Sequence, residues 1–515
     1  MTGLRFWTRS VQRLTVVGIG CGAVAVLGVG CHSVDPPIPI ARPQTVQYHG
    51  LGPPTVLAEQ LERPSSAVSK MTIDLGVALR LAGVDNPTVN LARERVQEAL
   101  ADELAAQALR LPSVTVGGNF YLHRGVLQAS SGQIRDVDRQ SLYVGAGARA
   151  AGTGTVTIPG VWLFAHLGDA IYEPLAAAQR VAASQSDARA VHNTILRDVA
   201  SAYLRLVGAE ARLDVLQRGE RDLAEVVRLT RVYAKNGQGR HADADRTTAN
   251  AELLRRQVRE AEEDVAVASA RLCRLLSLDP SNQLRTPVGS VQPFRLIAED
   301  TDTEPLVAEA VRSRPELRAR AAEIQETHTR VRQERVRPYL PFISVGYSGG
   351  GFGGGSNLAD SNFGSLKGRS NFDVVAVWSI ENLGFGNRAR VRRANSEVGQ
   401  AVADYNLVVN QIRREVAESS AEARAAARQI ETTTEALAIA EEGFRLESER
   451  IRQGLGRPIE TLDSFRQLLD SRQELVRAVV AFDVAQFRLF VAVGSNPLAA
   501  PGRAEVAVPG PKPSP

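Results

Sequence analysis

The chain has 515 residues, a formal net charge of +4 and only 5% aromatic residues, a composition that favours long, closely packed helices over a large compact core. Basic and acidic residues are interleaved, as on solvated helix faces, which argues against a nucleic-acid partner. The three cysteines form no CxxC pair and the seven histidines show no HxxxH or HExxH spacing, so we expect no metal site and no cofactor.

The N-terminus has the order of an export signal. Three arginines within the first thirteen residues precede an uncharged run over 14–30, which predicts a signal peptide at 1–30. The sequence Leu27-Gly-Val-Gly-Cys31 resembles a lipoprotein processing site, and this resemblance implies palmitate on Cys31. An ordinary cleaved signal and an uncleaved anchor helix remain alternatives. A proline-rich tether is predicted over 31–70.

Residues 71–285 contain helical and alternating patterns in a fixed order. Apolar residues recur at helical spacing before and after Asn86-Pro87, and Leu111-Pro112 ends the second of these helices. Two alternating segments then predict strands, followed by a bend that includes Pro174 and by a long helical hairpin. The predicted bounds are a strand at about 113–121, a polar loop at 122–140, a strand at about 142–158, a helix from about Leu175 to Ala234, a tip at about 236–245 and a return helix to about Leu278.

Residues 304–497 repeat this order after a connector at 286–303. Arg314-Pro315 stands 228 residues after Asn86-Pro87, and Leu340-Pro341 stands 229 residues after Leu111-Pro112. These near-constant offsets predict a duplicated unit. The predicted bounds are a strand at about 342–350, a glycine-rich loop at 348–368, a strand at about 371–380, a long hairpin entered at Leu383-Gly-Phe-Gly-Asn-Arg388 with its tip at about 453–463, and a disordered tail at 498–515.

The two predicted hairpin tips share their chemistry. Each tip carries two glycines, which can take the left-handed backbone angles that end a helix, and an arginine directly after them. The spacing is the same in both tips, 217 residues apart. The residues are Gly237, Gly239 and Arg240 in the first tip, and Gly454, Gly456 and Arg457 in the second.

The predicted lengths require several copies of the chain. Helices of about 60 and 37 residues reach roughly 90 and 55 Å, so they must bury their apolar stripes by packing side by side. Each predicted strand is long enough to cross a bilayer when tilted, and one face of each is apolar. Four strands cannot close a barrel, but several copies contributing four strands each can. A soluble four-stranded sheet on a helical scaffold is the alternative.

The duplicated order of helix, two strands and long hairpin resembles the outer-membrane factor family of TolC-like efflux proteins over residues 71–497. The resemblance is carried by Asn86-Pro87, Leu111-Pro112, Leu340-Pro341, Leu383-Gly-Phe-Gly-Asn-Arg388 and the glycine-to-acid spacing of the two tips. It implies a mixed fold, mainly α, in which four strands per chain contribute to a trimeric 12-stranded β-barrel and the hairpins to a periplasmic α-barrel.

For function, the resemblance implies a homotrimeric exit duct of a tripartite efflux or type I secretion system. Substrates would pass passively from the periplasm to the exterior when a periplasmic adaptor (a membrane fusion protein) engages the duct, with an inner-membrane transporter as the indirect partner. The chain would lie in the outer membrane, anchored in outer-membrane lipid through Cys31, with a large periplasmic extension.

In this family the hairpin tips form the closed end of the channel. The resemblance places Glu460, Asp463 and Asp243 at the acidic gate positions, where Arg457 and Arg240 would pair with them and hold neighbouring hairpins together. Acidic side chains repeated around a narrow axis would also attract cations. The alternative is that acids in the first turn of a helix only stabilise the helix dipole.

Other functions agree less well with the sequence. The run SGGGFGGG at 348–355 lacks the Gly-Lys-Ser/Thr ending of a phosphate loop and links two predicted strands. No catalytic motif is found, so we expect no catalytic residue and no enzyme. Two alternatives to the duct are a non-channel periplasmic coiled-coil scaffold lipoprotein and a periplasmic adaptor. Adaptors of that kind carry one hairpin, whereas this chain carries two.

Overall fold

The computed structural model describes residues 70–114, 116–146, 161–237, 239–287, 292–358, 364, 366–453 and 455–499. Several predictions concern residues outside these ranges. They are the signal peptide, the lipidation site Cys31, nearly all of the tether, the predicted strand beyond Ala146, Gly454, and the tail after Ala499.

The described residues form a mainly helical fold with one large sheet. The helices are α1 (Leu75–Asp85), α2 (Pro87–Ala108), α3 (Leu167–Lys235), α4 (His241–Leu276), α5 (Thr303–Ser313), α6 (Pro315–Val336), α7 (Phe385–Arg452) and α8 (Pro458–Ala492). The strands are β1 (Lys70–Thr72), β2 (Ser113–Val114), β3 (Val116–Gln128), β4 (Ile134–Ala146), β5 (Val161–His166), β6 (Gln283–Arg285), β7 (Phe342–Ser356) and β8 (Lys367–Val377).

The helix breaks at Asn86 and Arg314 follow from proline chemistry. Pro87 and Pro315 each begin a helix, where the missing N–H has no intrahelical partner to lose. Asn86 also caps α2, because its side-chain oxygen accepts from the Thr88 N–H at 2.9 Å. Its amide nitrogen donates to the Leu275 carbonyl at 2.8 Å, which ties this junction to the end of α4.

Helix α3 begins eight residues earlier than predicted, at Leu167, and Pro174 lies inside it. The prediction started this helix at Leu175 because a proline inside a helix leaves the carbonyl four residues earlier without its donor. That carbonyl belongs to Ala170, and the Arg110 guanidinium donates to it at 2.8 Å. His166 caps the helix by accepting from the Gly168 N–H at 3.1 Å. A side chain 60 residues earlier in the chain therefore offsets the proline.

The large sheet is antiparallel and is four strands wide at any height. Its order is β2-β5-β7-β4-β3, and β8 pairs with the other side of β7. Strand β7 pairs with β5 over Phe342–Tyr347 and with β4 over Gly349–Ser356, so β4 and β5 follow one another along the same flank of β7. Within the described residues, β8 is the free edge on one side of the sheet, and β2 and β3 are the free edge on the other.

The observed strands extend into two segments that the sequence analysis predicted as loops. The predicted polar loop at 122–140 is mostly strand, because β3 and β4 pair from Val116 to Gln128 and turn only at 129–133. The predicted glycine-rich loop at 348–368 begins too early, since β7 continues to Ser356. The glycines serve the pairing here, because a side chain at Gly350 would collide with the Val144 carbonyl oxygen of β4.

The four long helices form two hairpins that pack through their inner members, α3 and α8. Two glycines of α3 allow the axes to approach closely. A Cβ atom at Gly208 would lie 2.7 Å from Cγ2 of Val480, and one at Gly219 would lie 2.7 Å from Cδ1 of Leu469. Large buried side chains of both helices, such as Leu216 and Phe487, belong to this core.

Candidate functional site: the hairpin tips and the exposed sheet face

The first hairpin turns tightly between α3 and α4. Gly237 has a φ of +74°, which places it in the left-handed region, and its N–H donates to the Ala234 carbonyl at 3.2 Å. The Gly239 N–H donates to the Tyr233 carbonyl at 3.1 Å. Arg240 then stands at the N-cap of α4, with Asp243 in its first turn.

The second hairpin turns by a different set of backbone bonds. The N–H groups of Leu455 and Gly456 both donate to the Arg450 carbonyl, at 2.9 and 3.0 Å. A Cβ atom at Gly456 would lie 2.8 Å from the Ile451 nitrogen, so the close approach of the two backbones requires glycine there. Arg457 stands at the N-cap of α8, and Pro458 opens the helix.

The structure places Asp243 and Glu460 in the first turns of the return helices and Asp463 in the second turn of α8, and none of the three contacts a predicted tip arginine among the described residues. In the described part of the chain, Arg240, Asp243, Arg457 and Glu460 make no side-chain hydrogen bond or ion pair. Asp463 is exposed and pairs with Arg466 one helical turn later, at 3.3 Å. The predicted gate pairs are therefore not formed among the described residues of this chain.

Two contacts that the sequence did not suggest join the hairpins near their tips. The Tyr233 hydroxyl donates to the Ile451 carbonyl at 2.7 Å. Arg466, the partner of Asp463, also donates to the Asn250 side-chain oxygen at 2.6 Å. Tyr233 and Asn250 belong to the first hairpin, so neither contact has a local sequence signal.

Charges also act between the hairpins in this region. The hydrogen bond from Arg228 lowers the pKa of Glu225, and the more distant charge of Arg452 acts in the same direction. Glu225 lies on α3 and Arg452 ends α7, so the second hairpin contributes to the field at the first. All three side chains are on the solvated surface, where such effects are modest.

One face of the large sheet is mostly apolar and exposed, and it also carries the Arg124–Asp138 ion pair. Strand alternation and the register of the pairs bring side chains from β3, β4, β7 and β8 onto this face. Phe120 is 59% exposed and Phe372 is 68% exposed, although both are large apolar residues. The exposed members of this apolar face include Val116, Phe120, Leu122, Val126, Ile134, Val144, Tyr347, Phe372 and Val374.

The opposite face of the sheet is more polar, although Phe164, Val375 and Val377 are exposed on it. It carries hydroxyl, amide and charged groups at positions where the first face carries apolar ones. Its members include Tyr121, His123, Arg139, Ser141, Ser348, Asn371 and Asp373. Among the described helices, none has the length and hydropathy needed to cross a membrane.

Solved structures of bacterial outer-membrane proteins have the same fold. A membrane protein from Pseudomonas aeruginosa matches with a TM-score of 0.67 at 20% identity, covering 82% of this chain and 92% of that one. The Campylobacter jejuni CmeC outer membrane channel matches at 0.65 and 16% identity, covering 82% and 85%. The outer-membrane channel OprN matches at 0.65 and 18% identity, covering 82% and 90%. No curated protein sequence matches the chain.

The paired hairpins and the two-faced sheet thus define the fold of an outer-membrane channel protein. Residues 306–495 also match the family described as "Outer membrane efflux protein". This stretch of the chain therefore resembles the outer-membrane factor family, in agreement with the resemblance that the sequence predicted.

Proposed function

We propose that three copies of the chain form an outer-membrane exit duct that conducts substrates passively from the periplasm to the exterior. The observation that carries the proposal is the exposed apolar face of a sheet with two free edges. In water, an apolar face of this extent would favour aggregation, and free strand edges would favour unspecific pairing. In a closed barrel within a bilayer, both features become stabilising.

The sheet has the dimensions of a barrel segment. Strands β3 and β4 have 13 residues each and β8 has 11, against about 9–11 residues needed for a tilted strand to cross a bilayer. In the proposed trimer, the β3 edge of one copy pairs with the β8 edge of the next. Three four-stranded segments then close into twelve strands, with the apolar face towards lipid and the polar face towards water.

The order of the elements supports an internal duplication. Each half contains two short helices, strands of the large sheet and a hairpin of two long helices. The long helices have matching lengths, with 69 and 36 residues in the first half and 68 and 35 in the second. In the proposed trimer the hairpins of both halves form a periplasmic α-barrel.

The tips are the proposed periplasmic gate. Glu460 and Asp463 in the second tip, and Asp243 in the first, would ring the axis of the trimer. The unpaired state of Arg240 and Arg457 supports pairing across copies, because these groups have no partner within the described residues of one copy. Opening would then require that these pairs separate.

The remaining assignments follow from the resemblance to outer-membrane efflux proteins. The closed duct would be engaged at its tips by a periplasmic adaptor, and an inner-membrane transporter of an efflux or type I secretion system would supply the energy. Lipid on Cys31 would anchor the chain in the outer membrane, after removal of the signal peptide. No step of this function requires a cofactor or a catalytic residue.

Paired variants on one strand test the proposal. Val374→Arg places a charge on the apolar face of β8, whereas Asn371→Arg places it on the polar face three residues away. A lipid-facing arginine costs roughly 2–4 kcal/mol near the bilayer centre, and a lumen-facing one far less. We expect Val374→Arg to abolish the heat-modifiable trimer in outer-membrane fractions and Asn371→Arg to retain it.

Fractionation and conductance of the wild-type protein distinguish the duct from the scaffold. A trimer that fractionates with the outer membrane and forms channels in planar bilayers supports the duct. A protein that fractionates as a soluble periplasmic species and conducts no current would overturn it and would support the coiled-coil scaffold instead.

A further inference from the structure

A basic cleft lies where the short helices meet the long ones, away from both the tips and the sheet. It has a volume of about 450 Å³ and is lined by residues of α2 and α3, of the α5–α6 junction and of the segment after α8. Its polar lining consists of three arginines, a histidine, a serine and two asparagines. The charged, imidazole and amide side chains of this lining belong to Arg93, Arg189, Arg318, His192, Asn193 and Asn496.

The three arginines of this cleft have no carboxylate partner. No Asp or Glu lines the cleft among the residues that the structure describes. Arg189 and Arg318 make no hydrogen bond or ion pair within the described ranges, whereas arginines elsewhere commonly pair with an acid one turn away, as Arg445 does with Glu442. The three positive charges around this cleft repel one another, and an anion bound between them would remove that repulsion.

Arg93 is held in place by the backbone. Its guanidinium donates to the Gly83 carbonyl at 2.7 Å and to the Asn90 side chain at 3.2 Å. These acceptors orient the group without neutralising it. A fixed guanidinium with free N–H groups is well suited to the oxygen atoms of a phosphate or sulfate, which it can bind through two parallel hydrogen bonds.

The neutral groups of the cleft can add donors. Burial, and then the charge of Arg93, lowers the pKa of His192, while a hydrogen bond with Asn193 acts in the opposite direction. Burial therefore favours the neutral form of this imidazole. Asn496 accepts from the Leu498 N–H at 3.1 Å, which leaves its amino group as a donor.

We propose that this cleft is a binding site for a small soluble oxyanion of the phosphate class. The bound anion would join α2 and α3 of the first half to α6 and the end of α8 in the second. Arg189 lies 22 residues beyond Leu167 at the sheet end of α3, which is about 33 Å along a helix that rises 1.5 Å per residue. A lipid headgroup of the membrane around the sheet would not reach it. The proposal does not depend on the channel function.

The test is calorimetric titration of the purified full-length protein with inorganic phosphate, in detergent and at constant ionic strength. The double variant Arg189→Gln/Arg318→Gln should lose affinity at least about tenfold, since each charge-assisted bond contributes strongly. The control is Arg205→Gln/Arg271→Gln, which removes two equally exposed, unpaired arginines from another groove. That groove is also lined by the carboxylates Glu418 and Glu422.

A second measurement does not depend on the variants folding. Phenylglyoxal modifies accessible arginines, and phosphate should protect Arg189 and Arg318 but not Arg205 in the wild-type protein, as read by mass spectrometry. Three outcomes overturn the proposal. They are no binding of phosphate up to about 10 mM, equal loss of affinity in both double variants, and binding only to vesicles of anionic phospholipid.

Discussion

The fraction of buried residues differs more between the inner long helices, α3 and α8, and the outer ones, α4 and α7, than between the two halves of the chain. Helix α3 buries 25 of its 69 residues and α8 buries 18 of its 35. Helix α7 buries only 9 of its 68 residues and α4 only 10 of its 36. Each inner helix has neighbours on both sides, whereas each outer helix has a flank that no other described element covers.

The uncovered flanks are not simply polar. Leu253 and Val267 are exposed on α4, and Leu407 and Ile439 are exposed on α7, where Ile439 is 71% exposed. Scattered exposed apolar residues are common on single proteins, but here they lie on the two helices that end the array. In the proposed trimer, we therefore expect α4 of one copy to pack against α7 of the next.

The largest expected effect comes from a charge on this flank. Ile439→Glu should prevent trimer assembly, because each copy would bury an unpaired carboxylate at a cost of several kcal/mol. Leu358→Glu is the control, since Leu358 is similarly exposed in the turn after β7. Crosslinking and size-exclusion chromatography in detergent should show monomers for the first variant and trimers for the second. Equal trimer fractions would remove α7 from the interface.

The two tips differ in a way that conductance can measure. Replacing Glu460 and Asp463 with alanine should raise single-channel conductance in planar bilayers, because the second tip would lose its acids and their cross-copy pairs. Asp243→Ala, which removes the first tip's one gate acid, should have the smaller effect. Asp245→Ala removes a neighbouring exposed acid and serves as the control. If the double variant conducts like wild type, Glu460 and Asp463 are helix-dipole residues and not a gate.

The sequence predicted best the features that depend only on neighbouring residues. Glycines that require left-handed or crowded backbone, such as Gly237 and Gly456, and prolines that begin helices, such as Pro87 and Pro315, located the tips and the breaks to within a few residues. Because these signals do not depend on distant residues, they can be recognised in a single sequence.

The errors concern features that depend on residues distant in the sequence. The predicted helix began only after Pro174, because the group that compensates for this proline, Arg110, is distant in the sequence. Glycine-rich β7 resembled a loop because the need for glycine comes from the backbone of β4. Tyr233 at the tip was missed for the same reason, since its acceptor is 218 residues away. Gate pairing across copies stays a prediction, because one chain contains only half of each pair.

A third prediction contrasts the inner and outer helices through one substitution. Gly208→Ala on α3 places a methyl group against Val480, whose branched side chain has little freedom to move. Gly443→Ala on α7 places it in open space. The first should lower the free energy of unfolding by about 1–3 kcal/mol through overpacking. The second should raise it by about 0.5–1 kcal/mol through helix propensity. Circular dichroism in denaturant measures both, and shifts of the same sign would refute the close α3–α8 seam.

The smallest expected effect concerns the contact that joins the tips within one copy. Tyr233→Phe removes the hydroxyl that donates to the Ile451 carbonyl and should cost about 0.5–1.5 kcal/mol locally. Because this contact lies at the ends of α3 and α7, the loss should appear as faster amide hydrogen exchange at 448–453 rather than as a change in global unfolding. Tyr339→Phe, at a residue 78% exposed, is the control. Unchanged exchange in Tyr233→Phe would mean that the hairpins are held together by the α3–α8 core alone, and that each tip can move without the other.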